Sequence, residues 1–163
     1  MGFLQPSVIA NTELFAVADA SVYSFGVLSS AMHMAWVRSV CGRLESRYRY
    51  SAGIVYNNYP WPQSETPKQR QAIEVAAQAV LDARAKYPDA SLADLYDPLA
   101  MPANLVKAHQ KLDAAVDAAY SKRKFIGDAD RVAFLFELYQ KLVSPLEATK
   151  KKPRKAPAKA AAE

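Results

Sequence analysis

The tripeptide Pro60-Trp61-Pro62 divides the chain into two segments whose apolar residues follow different periods. Proline lacks a backbone donor and fixes its own φ angle, so neither a regular helix nor a central strand continues through this point. Residues 1–62 hold four of the five glycines and both tryptophans, whereas residues 63–148 show the three- and four-residue spacing of amphipathic helices. The sequence therefore predicts an α+β protein, with a small mixed α/β segment followed by a helical one.

The first segment predicts one helix and several short strands. Apolar residues recur at helical spacing over residues 25–40, and Ser29, Ser30 and His33 lie off that stripe. The β-compatible runs are Ser7–Ala10, Leu14–Val17 and Gly53–Tyr56. Two or three strands rarely form a stable sheet alone. We therefore expect these strands to complete a sheet whose other strands belong to a longer protein, of which this chain is the carboxyl end.

The second segment predicts an antiparallel helical bundle. Thr66, Pro67 and Gln69 form the capping box and first turn of a helix that should stop before Pro88. A short helix is predicted over residues 91–96, and two longer ones begin at Pro102 and Asp128. Three amphipathic helices with short connections are typical of a small bundle.

The net charge of +5 comes from one end of the chain. Residues 149–163 hold six basic residues and one acidic residue, which leaves fifteen of each sign in residues 1–148. A tail of Lys, Ala and Pro is too polar to bury a core, so we expect it to be disordered. It either adds salt-sensitive, sequence-independent affinity for nucleic acid or is a solvated extension.

Several classes of function are disfavoured by what the sequence lacks. No run approaches the roughly 20 apolar residues of a membrane span, and no secretory signal begins the chain. A lone Cys41 permits no internal disulfide and suits a reducing cytoplasm; without a neighbouring base, a buried thiol is expected. His33 and His109 have no further ligands at metal-binding spacing. We assign no catalytic residue, metal ligand or cofactor-binding residue to this chain.

Residues 42–51 carry the strongest functional pattern, because they interleave three arginines and a glutamate with two tyrosines. If the segment is extended, Glu45, Arg47 and Arg49 share one face. In a DNA major groove, Glu45 would accept from the amine of cytosine while Arg47 bonds the paired guanine, which specifies one C·G pair. Exposed edge-strand charges that deter aggregation are the alternative interpretation.

A second set of residues would support this contact. Arg38 and Arg43 are placed to hold phosphates, and tyrosine hydroxyls bond phosphates as well. The predicted backbone-contacting or supporting residues are Arg38, Arg43, Tyr48, Tyr50 and Ser51.

Three stretches resemble the last third of the MmeI-like adenine-specific DNA methyltransferases, a family that includes fused type II restriction–modification proteins. These stretches are residues 25–36, 42–51 and 54–62; residues 93–102 and 131–139 of the helical segment are similar too. The resemblance covers about residues 1–145 and leaves the tail outside.

The resemblance implies two domains and a set of partners. Residues 1–62 would be the end of the target recognition domain and residues 63–148 the C-terminal helical domain, whereas the tail of residues 149–163 lies outside the resemblance. Residues matching Glu45 and Arg47 belong to the family's base-reading set, and Arg49 matches a further such position. The loops that bind S-adenosylmethionine and the target adenine would lie upstream of Met1, in a methyltransferase domain or subunit, so double-stranded DNA and that domain are the implied partners.

Two other interpretations stay open at this point. In the first, the helices of residues 66–148 dock a partner subunit and the arginine-tyrosine strand is merely a sheet edge. In the second, the chain is an enzyme by itself, which the missing catalytic constellation disfavours.

Overall fold

The computed structural model describes residues 1–4, 7–9 and 14–150, with the backbone alone for 145–150. Six α-helices, one two-stranded antiparallel sheet and a π-helical turn make up these residues, which confirms the α+β class. The elements in chain order are α1 (Val22–Leu28), α2 (Ala31–Val40), β1 (Gly42–Leu44), β2 (Arg47–Arg49), the π-helical turn (Ala52–Tyr56), α3 (Pro67–Ala85), α4 (Leu92–Leu95), α5 (Ala103–Tyr120) and α6 (Asp128–Lys150). The predicted disordered tail lies outside the described residues from position 151 onward.

The single helix predicted over residues 25–40 is wrong, because the chain breaks at Ser29 and Ser30. Ser30 has extended backbone angles and its hydroxyl accepts the N–H of His33, which caps α2. The same hydroxyl donates to the carbonyl of Val27 at 2.7 Å. Serine side chains compete with helical hydrogen bonds and favour helix N-caps, so two adjacent serines end one helix and start the next.

The β-compatible runs do not form strands in the described residues. Residues 7–9 and 14–17 are irregular, and Ala10 lies outside the described residues. Residues 53–56 belong to the π-helical turn, where side chains take the carbonyls that a strand partner would use. Asn58 donates to the carbonyls of Gly53 and Ile54 at 2.8 and 3.1 Å, and Trp36 Nε1 donates to that of Val55 at 3.0 Å.

The helical segment follows its sequence pattern closely. The capping box of Thr66 and Gln69 is present, and α3 ends at Ala85, before Pro88. Helices α3 and α5 are antiparallel: the Gln69 side chain near the start of α3 donates to the carbonyl of Ala118 near the end of α5. Helix α6 packs chiefly against α2, where the rings of Trp36 and Phe136 lie 5.2 Å apart.

One continuous core joins the two segments, and Gly26 on α1 permits a close approach of α1 to α3 within it. A β-carbon built on Gly26 would lie 2.9 Å from both Ala77 Cβ and Ile73 Cγ2 of α3. Real β-carbons essentially never approach so closely. Glycine is therefore required here because the backbone of α1 lies directly against side chains of α3.

His33 is a buried ionisable group in this core. Its side chain is fully buried and its ring meets that of Tyr59 edge-on, with 4.5 Å between ring centroids. Burial disfavours the charged imidazolium and lowers the pKa of His33 to about 4. A histidine off the apolar stripe is either a polar packing residue or one that faces DNA, and the burial of His33 fits the first of these.

The first prediction concerns Gly26→Ala. Overpacking costs roughly 1–3 kcal/mol, whereas alanine gains at most about 1 kcal/mol in helix propensity. We therefore expect a lower free energy of unfolding, measured by chemical denaturation. Gly53→Ala is the control, because its new methyl group meets nothing within 4 Å. A Gly26→Ala protein as stable as the wild type would contradict the close approach.

The second prediction concerns acid stability. The unfolded His33 binds a proton near its ordinary pKa of about 6.5, whereas the folded one binds it only near 4. Stability should therefore fall as the pH drops from 6.5 to 4, by up to roughly 3 kcal/mol from this residue. His109, whose pKa burial also lowers, acts in the same direction.

Denaturation of wild type and His33→Gln at several pH values isolates the His33 contribution, since His109 and the carboxyl groups are common to both. The glutamine variant should lose less stability between pH 6.5 and 4. Parallel pH profiles would show that His33 does not contribute.

Candidate nucleic-acid interface

The arginine-tyrosine segment folds as a β-hairpin that projects from the helical body. Strands β1 and β2 are antiparallel, and Glu45 and Ser46 form the two-residue turn between them. The paired residues are Gly42 with Arg49, Arg43 with Tyr48, and Leu44 with Arg47. Every residue of both strands is exposed, so the hairpin presents its side chains to solvent.

The predicted common face of Glu45, Arg47 and Arg49 is correct for the two arginines and wrong for the glutamate. Arg47 and Arg49 are two residues apart on β2, so they share a face with Leu44. Glu45 lies in the turn with a φ of 56°. The chain reverses there, so the alternation of a continuous strand cannot apply.

The turn nevertheless brings Glu45 and Arg47 together. Arg47 Nη2 donates to Glu45 Oε2 at 3.2 Å, and the two side chains are 77% and 76% exposed. Exposed ion pairs of this kind contribute about 0–1 kcal/mol to stability. The pair therefore adds little to the fold, and most donors of the guanidinium remain free for another partner.

The opposite face of the hairpin carries a stacked pair. The guanidinium of Arg43 lies 4.4 Å from the ring centroid of Tyr48, and Arg43 Nη2 donates to the Tyr48 hydroxyl at 3.3 Å. Stacking fixes the plane of a guanidinium while leaving its outer donors free. This face of the hairpin therefore carries a positive charge, the guanidinium of Arg43, held against the ring of Tyr48.

The root of the hairpin is fixed to α2. Tyr50 follows β2 and is partly buried, and its hydroxyl lies 3.1 Å from His33 Nε2. Ser51 is also partly buried, and its carbonyl accepts the N–H of Val55 at 2.8 Å in the π-helical turn. Cys41 precedes β1; it is partly buried, and desolvation raises the pKa of its thiol, which disfavours the reactive thiolate.

Arg38 lies apart from the hairpin residues, in the last turn of α2. It forms an ion pair with Asp128 at the start of α6, and both side chains remain about half exposed. The structure thus places seven of the eight predicted site residues on the hairpin or at its root, while Arg38 joins two helices. Their roles remain predictions at this point.

Sequence reasoning missed the turn and the link between His33 and Tyr50. Two-residue hairpin turns favour Asn-Gly, Asp-Gly or a leading glycine, and Glu45-Ser46 offers none of these signals. A histidine 17 residues before a tyrosine gives no sequence signal at all.

No other candidate site stands out in the part of the chain that the structure describes. Within it, no three His, Cys, Asp or Glu side chains are grouped as metal ligands would be. None of the described helices combines the length and apolar character needed to cross a bilayer. Two surface depressions, one on α6 and one between α3 and α5, are wide open to solvent.

Comparison with known proteins agrees with the resemblance seen in the sequence. DNA methyltransferase A of Bacillus subtilis (strain 168) is 41% identical over 142 residues, which are 87% of this chain and 16% of that protein. A solved structure of the type IIL restriction–modification enzyme MmeI in complex with DNA superposes with a TM-score of 0.74 at 56% identity. That match covers 77% of this chain and 17% of the MmeI chain, so this chain spans about a sixth of the length of either relative.

Family models match nearly the whole of the described chain. The target recognition domain of MmeI matches residues 1–63, and the C-terminal domain of MmeI matches residues 65–147. The chain therefore belongs to the MmeI family.

Proposed function

We propose that this chain is the DNA-recognition portion of a bacterial restriction–modification methyltransferase that modifies adenine. Residues 1–62 would end the target recognition domain, and residues 63–148 would form the C-terminal helical domain that supports it. The observation that carries the proposal is the exposed hairpin, whose turn pairs Glu45 with Arg47. Its support from relatives is the match to MmeI, a restriction–modification enzyme solved with DNA.

The hairpin suits the major groove in shape and chemistry. A groove about 12 Å wide admits a two-stranded ribbon, and its floor presents a distinct pattern of donors and acceptors for each base pair. Arg47 would donate two hydrogen bonds to O6 and N7 of a guanine. Glu45 would accept from N4 of the paired cytosine, so that the two side chains together specify one C·G pair.

The geometry of the free hairpin favours this contact. Glu45 and Arg47 lie within hydrogen-bond distance of each other, so both side chains can reach the same base pair. A non-glycine residue with positive φ costs about 1–3 kcal/mol, and such strain is concentrated at functional positions. A glutamate in this turn position, where a glycine would relieve the strain, is consistent with selection for its carboxylate.

The other predicted residues would position the hairpin. Arg49 shares the face of Arg47 and is a further candidate for base contact. Arg43, stacked on Tyr48 on the other face, would hold a phosphate through its free donors. Arg38, Tyr50, Ser51 and the lysines of the tail would add backbone contacts, which fix register and raise affinity without specifying sequence.

The catalytic step would take place elsewhere in the larger enzyme. The two depressions described above are open to solvent and carry no set of side chains that we assign to S-adenosylmethionine, so we assign no methyl transfer to them. We propose that an upstream methyltransferase domain or subunit binds that cofactor and the target adenine, in the cytoplasm. The small share of each relative that this chain spans supports such a partner.

The third prediction is a change of sequence specificity in the assembled enzyme. Exchanging the charges with Glu45→Lys and Arg47→Asp should convert the preferred C·G pair to G·C, since lysine would donate to guanine and aspartate would accept from cytosine. Sequencing of methylated sites gives the readout. A good base contact discriminates by about 1–3 kcal/mol, so one position of the site should change and the others should not.

A matched control is the charge reversal Glu137→Lys with Lys141→Asp, two exposed residues four apart on α6 and far from the hairpin turn in sequence. It should leave the methylated sequence unchanged. If the hairpin exchange also leaves every position of the site unchanged, Glu45 and Arg47 do not read bases.

The fourth prediction separates the tail from the hairpin. Removing residues 151–163 takes away five of the six tail bases and should lower the salt dependence of duplex binding, by about 0.9 in log–log slope for each phosphate that the tail neutralises. Sequence preference should be unchanged. Binding that disappears entirely with the tail would instead support the interpretation in which the helical segment only docks a partner.

A further inference from the structure

We propose that the hydroxyl of Tyr50 donates a hydrogen bond to a DNA phosphate and that the buried His33 is its positioning residue. The Nε2–H of His33 would donate to the Tyr50 oxygen, which leaves the hydroxyl proton of Tyr50 for the phosphate. This inference rests on the proposed DNA-binding function and assigns a specific contact at the root of the hairpin. It also makes a prediction about His33 that is testable without DNA.

The starting observation is the hydrogen bonding of His33. Its Nε2 lies 3.1 Å from the Tyr50 hydroxyl, while its buried Nδ1 has no partner among the described residues. Burial disfavours the imidazolium, so the ring is neutral at physiological pH and carries one proton on one of its two nitrogens.

The position of that proton determines whether Tyr50 donates to His33 or accepts from it. If it were on Nδ1, a buried N–H donor would have no acceptor, and orphaned buried N–H groups are rare in folded proteins. If it is on Nε2, the ring donates to the Tyr50 oxygen and only a lone pair on Nδ1 stays unpaired. We therefore assign the tautomer that is protonated on Nε2, because it leaves no buried N–H donor without an acceptor.

With His33 in this tautomer, the O–H of Tyr50 is available to donate a hydrogen bond to another partner. The hydroxyl oxygen accepts from His33, and the described residues offer the hydroxyl proton no other acceptor. Desolvation raises the pKa of Tyr50 to about 12, so the group remains a donor at neutral pH. Tyr50 as a residue is only partly buried, so it is not enclosed in the core as His33 is.

Tyr50 lies at the end of the hairpin that is farther from the turn. It is three residues beyond Arg47, and strands rise about 3.4 Å per residue, so at most about 10 Å of chain separates the two positions. The major groove is about 8.5 Å deep. When the hairpin enters the groove turn first and Arg47 reaches the base edges, Tyr50 therefore lies nearer than Arg47 to the rim of the groove, where the sugar–phosphate backbone is.

The first test is the tautomer of His33, measured by ¹⁵N NMR on the whole 163-residue chain. The chain has two histidines, so the spectrum of His33→Gln identifies the signals of His33 by their loss. We expect a protonated Nε2 and a bare Nδ1. A protonated Nδ1 would mean that Tyr50 donates to His33 and would overturn the proposal.

The second test is a scan of duplex binding in which each phosphate in turn is replaced by an uncharged methylphosphonate. One replacement should weaken binding of the wild-type chain by about tenfold or more, as expected for a hydrogen bond to a charged group. The same replacement should have little effect on Tyr50→Phe, which keeps the ring and loses only the hydroxyl. Tyr139→Phe on α6 is the matched control and should behave as the wild type does.

His33→Leu, which removes the donor, should resemble Tyr50→Phe in the scan, whereas His33→Gln retains an N–H donor and should preserve part of the effect. Circular dichroism checks that each variant is folded. If the wild type and Tyr50→Phe respond alike at every phosphate, Tyr50 makes no such contact. That result would leave base reading by Glu45 and Arg47 intact, because the charge exchange tests it independently.

Discussion

The indole of Trp36 links the three parts of the structure on which the hairpin depends. Its Nε1 donates to the carbonyl of Val55 at 3.0 Å, and its ring packs against Phe136 and Tyr139 of α6. A buried donor left without a partner costs about 1–3 kcal/mol, so this bond helps to hold the π-helical turn in place against α2. Since the hairpin leaves α2 and returns into that turn, Trp36 fixes both the helix before it and the segment after it.

Charged and neutral polar groups are separated along the hairpin. The tip carries Glu45 and Arg47, whose side chains are about three quarters exposed, so their charges remain hydrated in the free protein. The root carries His33 and Tyr50, which desolvation keeps neutral. A charged tip on a neutral root would suit the proposed DNA contact, because the remaining donors of Arg47 would then exchange water for base edges.

The ends of α3, held by contacts between residues close in sequence, were predictable, whereas the π-helical turn, held partly by a contact with a distant residue, was not. The start and end of α3 were predictable because Thr66, Gln69 and Pro88 act on the backbone within a few residues. Residues 53–56 read as a strand by composition, yet side chains from Asn58 and the distant Trp36 bind their carbonyls and hold a π-helical turn. The helix breaks at Ser29 and Ser30 because serine hydroxyls compete with helical hydrogen bonds. The spacing of apolar residues carries no information about that competition.

The candidate site, too, was predictable in its residue types but not in its backbone conformation. Residue types alone predicted that Glu45 and Arg47 would face one C·G pair together, because carboxylate and guanidinium complement that pair; the structure shows the two side chains in contact, and the base contact stays a prediction. They did not reveal that a turn, rather than a continuous strand, joins the two residues. The register of the hairpin depends on three cross-strand pairs, and the turn residues carry none of the usual signals.

Dimethyl sulfate footprinting would test base reading by the hairpin most directly, because the reagent methylates N7 of guanine in the major groove. The duplex would be one enriched by the wild-type chain from a randomised library. We expect the wild type to protect one guanine that Arg47→Ala leaves reactive, with protection elsewhere unchanged. Protection that is identical in the two proteins would contradict the assignment of Arg47 to a guanine edge.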